Sequence, residues 1–262
     1  MLKVKINGKT FEAEKGEYVL EVCRRNRVPV PTLCHHEGVP GLGACRLCAV
    51  EINEGNGNKV VVSCVYPLNR DCEVFTESEK IKKIRRTILS MLKTKAPDGD
   101  RLASLCQIYG VGEDTRFAGL GAKEGKSHLA RSCVLCGLCA QACASTGAGA
   151  ISTVGRGVEK KISTPYEETP ADCIGCGSCA AVCPTKAIEC TEANGTRSIW
   201  GRKFTLLRCA SCGRYFATRE EYEWALKKAA SRDSDSSAVC DACRKKKSAD
   251  VLAAAFGERT CR

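Results

Sequence analysis

Cysteine is the residue that most constrains how this chain can fold, since it accounts for 21 of 262 residues. Cysteines at this density form either disulfides or metal centres. Disulfides need an oxidising compartment, whereas the N-terminus lacks the apolar core of a signal peptide. No later stretch approaches the roughly 18 apolar residues of a membrane span. We therefore expect a cytoplasmic protein without a membrane span, whose cysteines bind metal.

The tightest cysteine pattern lies in the second half of the chain and reads Cys173-x-x-Cys176-x-x-Cys179-x-x-x-Cys183-Pro184. This is the spacing of bacterial ferredoxins, in which the first three thiolates wrap three corners of a [4Fe–4S] cube. The glycines between these cysteines permit the close backbone turns. A zinc knuckle is the alternative, although zinc sites rarely use this spacing.

The same pattern occurs upstream as Cys133-x-x-Cys136-x-x-Cys139-x-x-x-Cys143, with Ala144 in place of the proline. Two such motifs indicate a two-cluster domain in which the fourth cysteine of each motif binds the other cluster. One [4Fe–4S] cluster is then expected on Cys133, Cys136, Cys139 and Cys183. The other is expected on Cys173, Cys176, Cys179 and Cys143.

A third group of cysteines lies near the N-terminus and consists of Cys34, Cys45, Cys48 and Cys64. Plant-type ferredoxins use Cys-x4-Cys-x2-Cys and a distant fourth cysteine, whereas here the first gap is ten residues long. The longer loop argues against a plant-type ferredoxin but not against its cluster, and we predict one [2Fe–2S] centre. A zinc site is the alternative. His35 and His36 directly follow Cys34, but we do not expect a histidine ligand here because Cys34 already completes a set of four cysteines.

The last group forms two Cys-x-x-Cys pairs separated by 27 residues, and consists of Cys209, Cys212, Cys240 and Cys243. This arrangement matches a zinc ribbon, so we predict a structural zinc ion. A further iron–sulfur cluster and four free thiols are the alternatives. The basic run 244–247 follows the second pair.

Hydrophobic periodicity predicts an α+β protein with four parts. Residues 1–76 alternate around Asn7-Gly8 and contain one short helical pattern at 18–27, which indicates a β-grasp domain. Residues 77–127 form a helical connector, with an amphipathic helix over 77–95. Residues 128–199 form the two-cluster ferredoxin-like domain, and residues 200–262 form the zinc-ribbon-like unit.

The first 190 residues or so resemble the small iron–sulfur diaphorase subunit of NAD-linked hydrogenases. They also resemble the N-terminal part of the large iron–sulfur subunit of complex I and the accessory domains of [FeFe]-hydrogenases. The resemblance is carried by the segments 31–38 and 44–48, the helix over 77–95 and both ferredoxin motifs.

One element of the family is missing from this sequence. Between the helix and the ferredoxin repeat, the family usually has a [4Fe–4S] site with one histidine and three cysteines as ligands. Here residues 94–127 contain only Cys106 and no histidine. Either the two domains pack closer together, or the [2Fe–2S] centre exchanges electrons with another subunit.

No Gly-x-Gly-x-x-Gly fingerprint, P-loop or nucleophile–base set appears in the chain. The resemblance therefore implies a non-catalytic electron-transfer subunit of an NAD(P)-linked oxidoreductase. Its partners would be a flavin- and NAD(P)H-binding subunit and a hydrogenase or formate dehydrogenase subunit, with electron bifurcation as one version. The C-terminal unit would dock the chain to a partner.

Two other classes of protein compete with this interpretation. The iron–sulfur subunit of a succinate dehydrogenase or fumarate reductase would carry a [3Fe–4S] centre, which two complete four-cysteine motifs disfavour. A metal-binding regulatory protein would bind nucleic acid, as the formal net charge of +11 suggests at first. Three clusters and one zinc ion with deprotonated thiols would contribute about −8, which leaves about +3. We therefore do not expect nucleic acid as a partner.

Overall fold

A mixed five-stranded sheet forms the N-terminal part of the molecule. The computed structural model describes residues 1–120, 128–229 and 238–256. The strands are β1 (Leu2–Ile6), β2 (Lys9–Ala13), β3 (Ala49–Asn53), β4 (Asn58–Val62) and β5 (Cys72–Phe75), in the order β2-β1-β5-β3-β4. The central pair β1 and β5 is parallel and the other neighbours are antiparallel. Asn7 and Gly8 both adopt positive φ angles in the first hairpin, as the Asn-Gly signal predicts.

Helix α1 (Val19–Arg25) packs on this sheet and completes the β-grasp arrangement. Its apolar face and the inward residues of the strands form one core, in which Val4, Val22 and Val74 are fully buried. Cys23 is also fully buried there, so it acts as a small core residue.

The described part of the connector contains two α-helices, α2 (Glu79–Lys95) and α3 (Asp100–Ile108), and a short 3-10 helix, Thr115–Leu120. The sequence predicted that the first would begin at residue 77. It begins at Glu79 because the Ser78 hydroxyl accepts a hydrogen bond from the amide of Ile81 and caps the helix.

The chain divides into two compact units, of which the first comprises Met1–Glu168 and Ser178–Glu189. Beyond the connector, this unit contains three short helices and a two-stranded hairpin. They are α4 (His128–Ser132), α5 (Leu138–Thr146), α6 (Ser178–Ala181), β6 (Ser152–Val154) and β7 (Lys161–Ser163).

The second unit comprises Thr169–Gly177 and the chain from Cys190 onward. Its four strands form an antiparallel meander, and two helices follow it. They are β8 (Cys190–Ala193), β9 (Thr196–Ile199), β10 (Arg202–Arg208), β11 (Tyr215–Thr218), α7 (Arg219–Ala229) and α8 (Asp241–Phe256). The sheet thus begins at Cys190, before the boundary at 199/200 that the sequence suggested.

The described helices and cysteines bear on the expectations about membrane spans and disulfides. Within the described ranges, no helix combines the length and the apolar character that crossing a membrane requires. All described cysteines are free of disulfides. Cys261 lies outside the described residues.

Candidate metal centres

The structure brings Cys34, Cys45, Cys48 and Cys64 together at one edge of the β-grasp sheet. All four are at least nine-tenths buried. The amide of Cys45 donates to Sγ of Cys34 at 3.3 Å, and the Sγ atoms of Cys48 and Cys64 are 3.3 Å apart. Gly41 passes so close to this group that a Cβ atom there would lie 3.3 Å from the Cys64 carbonyl oxygen.

The thiols of this set influence one another strongly. The hydrogen bond between the Cys34 and Cys45 thiols lowers the pKa of Cys45 to about 6, and the one between the Cys48 and Cys64 thiols lowers the pKa of Cys48 to about 7. The same hydrogen bonds, followed by burial, raise the pKa values of Cys34 and Cys64. Without a cation, the site therefore favours one thiolate in each pair. Because like charges repel in a buried site, four thiolates together need a cationic core such as that of an iron–sulfur cluster or zinc.

A buried arginine supports this cysteine loop, and sequence reasoning did not identify it. Arg85 of α2 has no exposed surface. Its Nε donates to the carbonyl oxygen of Leu47 at 3.0 Å and its Nη2 donates to that of Ala49 at 2.9 Å. These two residues flank Cys48, so the guanidinium fixes the backbone on either side of it. The signal in the sequence was a charged residue on the apolar face of a helix.

The structure also brings together Cys133, Cys136, Cys139 and Cys183, the first of the two crossed sets. All four line one cavity of the first unit, together with the apolar side chains of Leu129, Ile162 and Ile188. The amide of Ala187 donates to Sγ of Cys183 at 3.3 Å. Burial raises the pKa of Cys136 to about 11 and that of Cys139 to about 12, and the neighbouring thiols of the set add to this. As in the first set, a cationic core would offset the free-energy cost of deprotonating these buried thiols.

Within the first unit, the first ferredoxin motif and the β-grasp cysteine loop share one hydrophobic core. This core contains Cys34, Cys45, Cys106 and Cys136, all buried. Leu42 of the β-grasp loop lies against Gly137, where an added Cβ would be only 2.8 Å from the Leu42 Cδ1 atom. The two cysteine regions are therefore in direct apolar contact, and both alternatives left open by the missing family site stay predictions.

The cysteines of the second crossed set are distributed over both units. Cys143 and Cys179 lie on α5 and α6 of the first unit, whereas Cys173 and Cys176 lie in the loop Thr169–Gly177 of the second. That these four hold one cluster stays a prediction.

The four C-terminal cysteines form the most compact set. The Sγ atoms of Cys209, Cys212, Cys240 and Cys243 all lie within 4.8 Å of one another. Those of Cys212 and Cys240 are 3.8 Å apart. A tetrahedral zinc ion with Zn–S bonds of about 2.3 Å separates its sulfur ligands by about 3.8 Å, so the set fits a single metal ion. Hydrogen bonds from the backbone amides of Cys240 and Cys212 lower the pKa of Cys209 to about 6, which favours metal binding.

Comparison with family models agrees with the two cysteine-rich regions. A model described as a 2Fe-2S iron-sulfur cluster binding domain matches residues 1–79. A model described as a 4Fe-4S dicluster domain matches residues 132–187. The chain therefore carries both domains in the predicted order, and the α+β class with these two domains is confirmed.

Several curated proteins are similar to most of this chain. The NADP-reducing hydrogenase subunit HndD of Solidesulfovibrio fructosivorans is 30% identical over 72% of the chain. The NADPH-Fe(3+) oxidoreductase subunit alpha of Geobacter sulfurreducens is 30% identical over 71%, and the NADH-ubiquinone oxidoreductase 75 kDa subunit of Reclinomonas americana is 27% identical over 76%. The matched regions span only 36%, 24% and 31% of these longer relatives.

A solved structure shares the fold. It is described as an NAD+-reducing [NiFe]-hydrogenase in the H2-reduced state, and one of its chains superimposes with a TM-score of 0.53 at 25% identity. The match covers 62% of this chain and 74% of that one. The resemblance drawn from the cysteine motifs is thereby confirmed.

Proposed function

We propose that this chain, which is similar to subunits of NADP-reducing hydrogenases and of NADH-ubiquinone oxidoreductases, is an electron-transfer subunit of such an oxidoreductase. It would relay electrons between a flavin- and NAD(P)H-binding subunit and a hydrogenase or formate dehydrogenase subunit in the cytoplasm. An electron-bifurcating complex is one assembly in which this chain would relay electrons. The observation that carries the proposal is the single core shared by the β-grasp cysteine loop and the first ferredoxin motif.

The proposed ligands are sixteen cysteines in four sets. A [2Fe–2S] cluster is assigned to Cys34, Cys45, Cys48 and Cys64. One [4Fe–4S] cluster is assigned to Cys133, Cys136, Cys139 and Cys183, and the other to Cys173, Cys176, Cys179 and Cys143. A structural zinc ion is assigned to Cys209, Cys212, Cys240 and Cys243. Iron–sulfur clusters supply one-electron oxidation and reduction when bound.

The chain's own residues keep the proposed centres close and dry. Leu47, Leu89 and Leu138 are buried in the core that the two cysteine regions share, and the half-exposed Leu42 lies against Gly137 at its surface. Such apolar packing excludes water, and burial is one of the factors through which a protein sets cluster potentials.

The proposal is tested with anaerobically purified full-length chain. We expect about ten irons, an equal amount of acid-labile sulfide, and one [2Fe–2S] and two [4Fe–4S] signals in EPR of the reduced protein. When the chain is isolated with its native partners, NAD(P)H should reduce these centres, whereas the chain alone should show no turnover of NADH. Zinc at the twelve iron–sulfur positions without sulfide, or NADH turnover by the chain alone, would contradict the proposal.

A further inference from the structure

The loop Thr169–Gly177, which carries two cysteines of the second ferredoxin motif, is held by the C-terminal sheet of its own unit. A single atom, Nη1 of Arg202 at the start of β10, lies within hydrogen-bond distance of three of its carbonyl oxygens, which share its two N–H groups. These belong to Pro170 at 2.9 Å, Ala171 at 2.7 Å and Cys173 at 2.8 Å. The loop backbone is therefore shaped around one guanidinium group.

The next two carbonyl groups of the loop also bond to this sheet. The hydroxyl of Thr218, at the end of β11, donates to the carbonyl oxygen of Ile174 at 2.6 Å and is fully buried. Nη1 of Arg197 on β9 donates to that of Gly175 at 2.8 Å. Three strands of the sheet thus contact the backbone between the two cysteines.

Shape complementarity adds to these polar contacts. Gly175 has a φ angle of +68°, and a Cβ atom there would lie 2.6–2.9 Å from three ring atoms of Phe204. The Phe204 side chain is almost fully buried, and the Arg202 guanidinium lies 4.7 Å from its ring centroid. A glycine is required at this position both by the backbone angle and by the aromatic ring beneath it.

We propose that the C-terminal sheet is the template for the loop that presents Cys173 and Cys176, with Arg202, Phe204 and Thr218 as positioning residues. The inference rests on the proposed role of these two cysteines as ligands of a [4Fe–4S] cluster. It assigns the C-terminal unit a function inside the chain, in addition to any docking of a partner. The two guanidinium groups of Arg197 and Arg202 also place positive charge beside a centre that becomes more negative on reduction, which raises its reduction potential.

The experiment compares Arg202→Met with Arg208→Met in the full-length chain after anaerobic reconstitution. Arg208 is a matched control, because it lies on the same strand and its guanidinium is also 4.7 Å from an aromatic ring, that of Tyr215. Within the described residues, its side chain donates to the Tyr215 hydroxyl and not to the loop.

We expect Arg202→Met to retain about six of ten irons and to lose one of the two [4Fe–4S] signals. In any molecules that assemble the cluster, its midpoint potential should be lower than in the parent. Arg208→Met should retain all the iron and the parent potential.

A second pair of variants tests the same inference through a smaller change. Thr218→Val removes the hydroxyl with little change of shape, whereas Thr218→Ser keeps the hydroxyl. We expect the valine variant to lose iron from the same cluster and the serine variant to retain it. The [2Fe–2S] signal reports whether the rest of the chain has folded. If Arg202→Met lacks this signal, the comparison of Thr218→Val with Thr218→Ser tests the inference instead. Full iron content and unchanged potentials in both Arg202→Met and Thr218→Val would overturn the inference, whereas a parent chain without two [4Fe–4S] signals would overturn the proposed function.

Discussion

The guanidinium of Arg85 is buried beside Cys48 and donates to the two carbonyl oxygens that flank this cysteine in the chain. It also contacts the hydroxyl of Tyr109 at 2.9 Å and the carboxylate of Glu77. A buried cation with this many acceptors is both a structural tie between α2 and β3 and a positive charge next to a proposed cluster ligand.

Replacement of Arg85 by methionine should therefore weaken both the fold and the centre. Two buried carbonyl groups would lose their donors, and we expect the free energy of unfolding to fall by on the order of 3 kcal/mol. Loss of the cation should also lower the midpoint potential of the [2Fe–2S] centre. Denaturant unfolding and an EPR redox titration measure the two effects.

The control for this change is the neighbouring arginine. Arg86 is exposed and donates to the carbonyl oxygen of Tyr109. Arg86→Met should lower the free energy of unfolding by less than about 1 kcal/mol and leave the potential unchanged. Equal effects in the two variants would show that the buried position of Arg85 has no special role.

Gly137 and Leu42 give a second prediction, which concerns the contact between the two cysteine regions of the first unit. Gly137→Ala adds a Cβ atom 2.8 Å from the Leu42 side chain and also strains a backbone with φ of +80°. We expect it to reduce the melting temperature and the iron content of the first ferredoxin site. Leu42→Ala in the same chain should recover the part of the loss that comes from the clash.

Gly149→Ala is the control that separates the effect of backbone strain from the effect of the contact with Leu42. Gly149 also has a positive φ, +63°, but no described atom lies within 4 Å of its added Cβ. This variant should cost about 1 to 2 kcal/mol from backbone strain alone, and Leu42→Ala should not relieve it. If Gly137→Ala costs no more than Gly149→Ala, the contact with Leu42 is not tight.

The sequence predicted the parts of this fold that local signals determine. The Asn7-Gly8 hairpin, the helix that ends at Lys95 and the crossed set ending in Cys183 follow from turn chemistry, periodicity and cysteine spacing. Strand β5 (Cys72–Phe75) was not identified, because it is only four residues long and is stabilised by parallel pairing with β1, far away in the sequence.

The supports of the cysteine loops could not be predicted for a related reason. Arginine is usually a surface residue, and only the tertiary structure shows which carbonyl oxygens Arg85 and Arg202 reach. Cysteine spacing likewise assigns the loop Thr169–Gly177 to the ferredoxin repeat, whereas the structure groups this loop with the C-terminal sheet.

The C-terminal cysteine set gives a third prediction, about metal content. We expect about one zinc per chain, and we expect Cys240→Ser to lose it because Cys240 is a buried member of the set and accepts a hydrogen bond from Arg214. Loss of the metal should increase hydrogen exchange in β10 and β11. Cys190→Ser is the control, because Cys190 lies on β8 of the same unit and outside the set. About fourteen irons and no zinc would instead indicate a further [4Fe–4S] cluster.

The cysteines outside the four sets give a fourth prediction, about their reactivity. Burial raises the pKa of Cys23 to about 11 against the opposing effect of Arg85, and burial together with Glu54 and Asp71 raises that of Cys72 to about 11. At about pH 8 both are neutral thiols in the folded chain, and alkylation requires the thiolate. We therefore expect iodoacetamide to leave both unmodified in the holoprotein at this pH, as measured by peptide mass spectrometry, and to modify them in urea.

The same shifts predict how stability changes at alkaline pH. Because the folded pKa of Cys23 is higher than the unfolded value near 9, its contribution to stability is complete below about pH 9 and is lost as the pH rises toward 11. Cys23→Ala should therefore show a smaller loss of stability between about pH 8 and pH 10 than the parent chain, although it is less stable at the lower pH because of the cavity. Rapid alkylation of Cys23 in the folded holoprotein near neutral pH, or identical pH profiles of the two chains, would show that this thiol is not protected by the core.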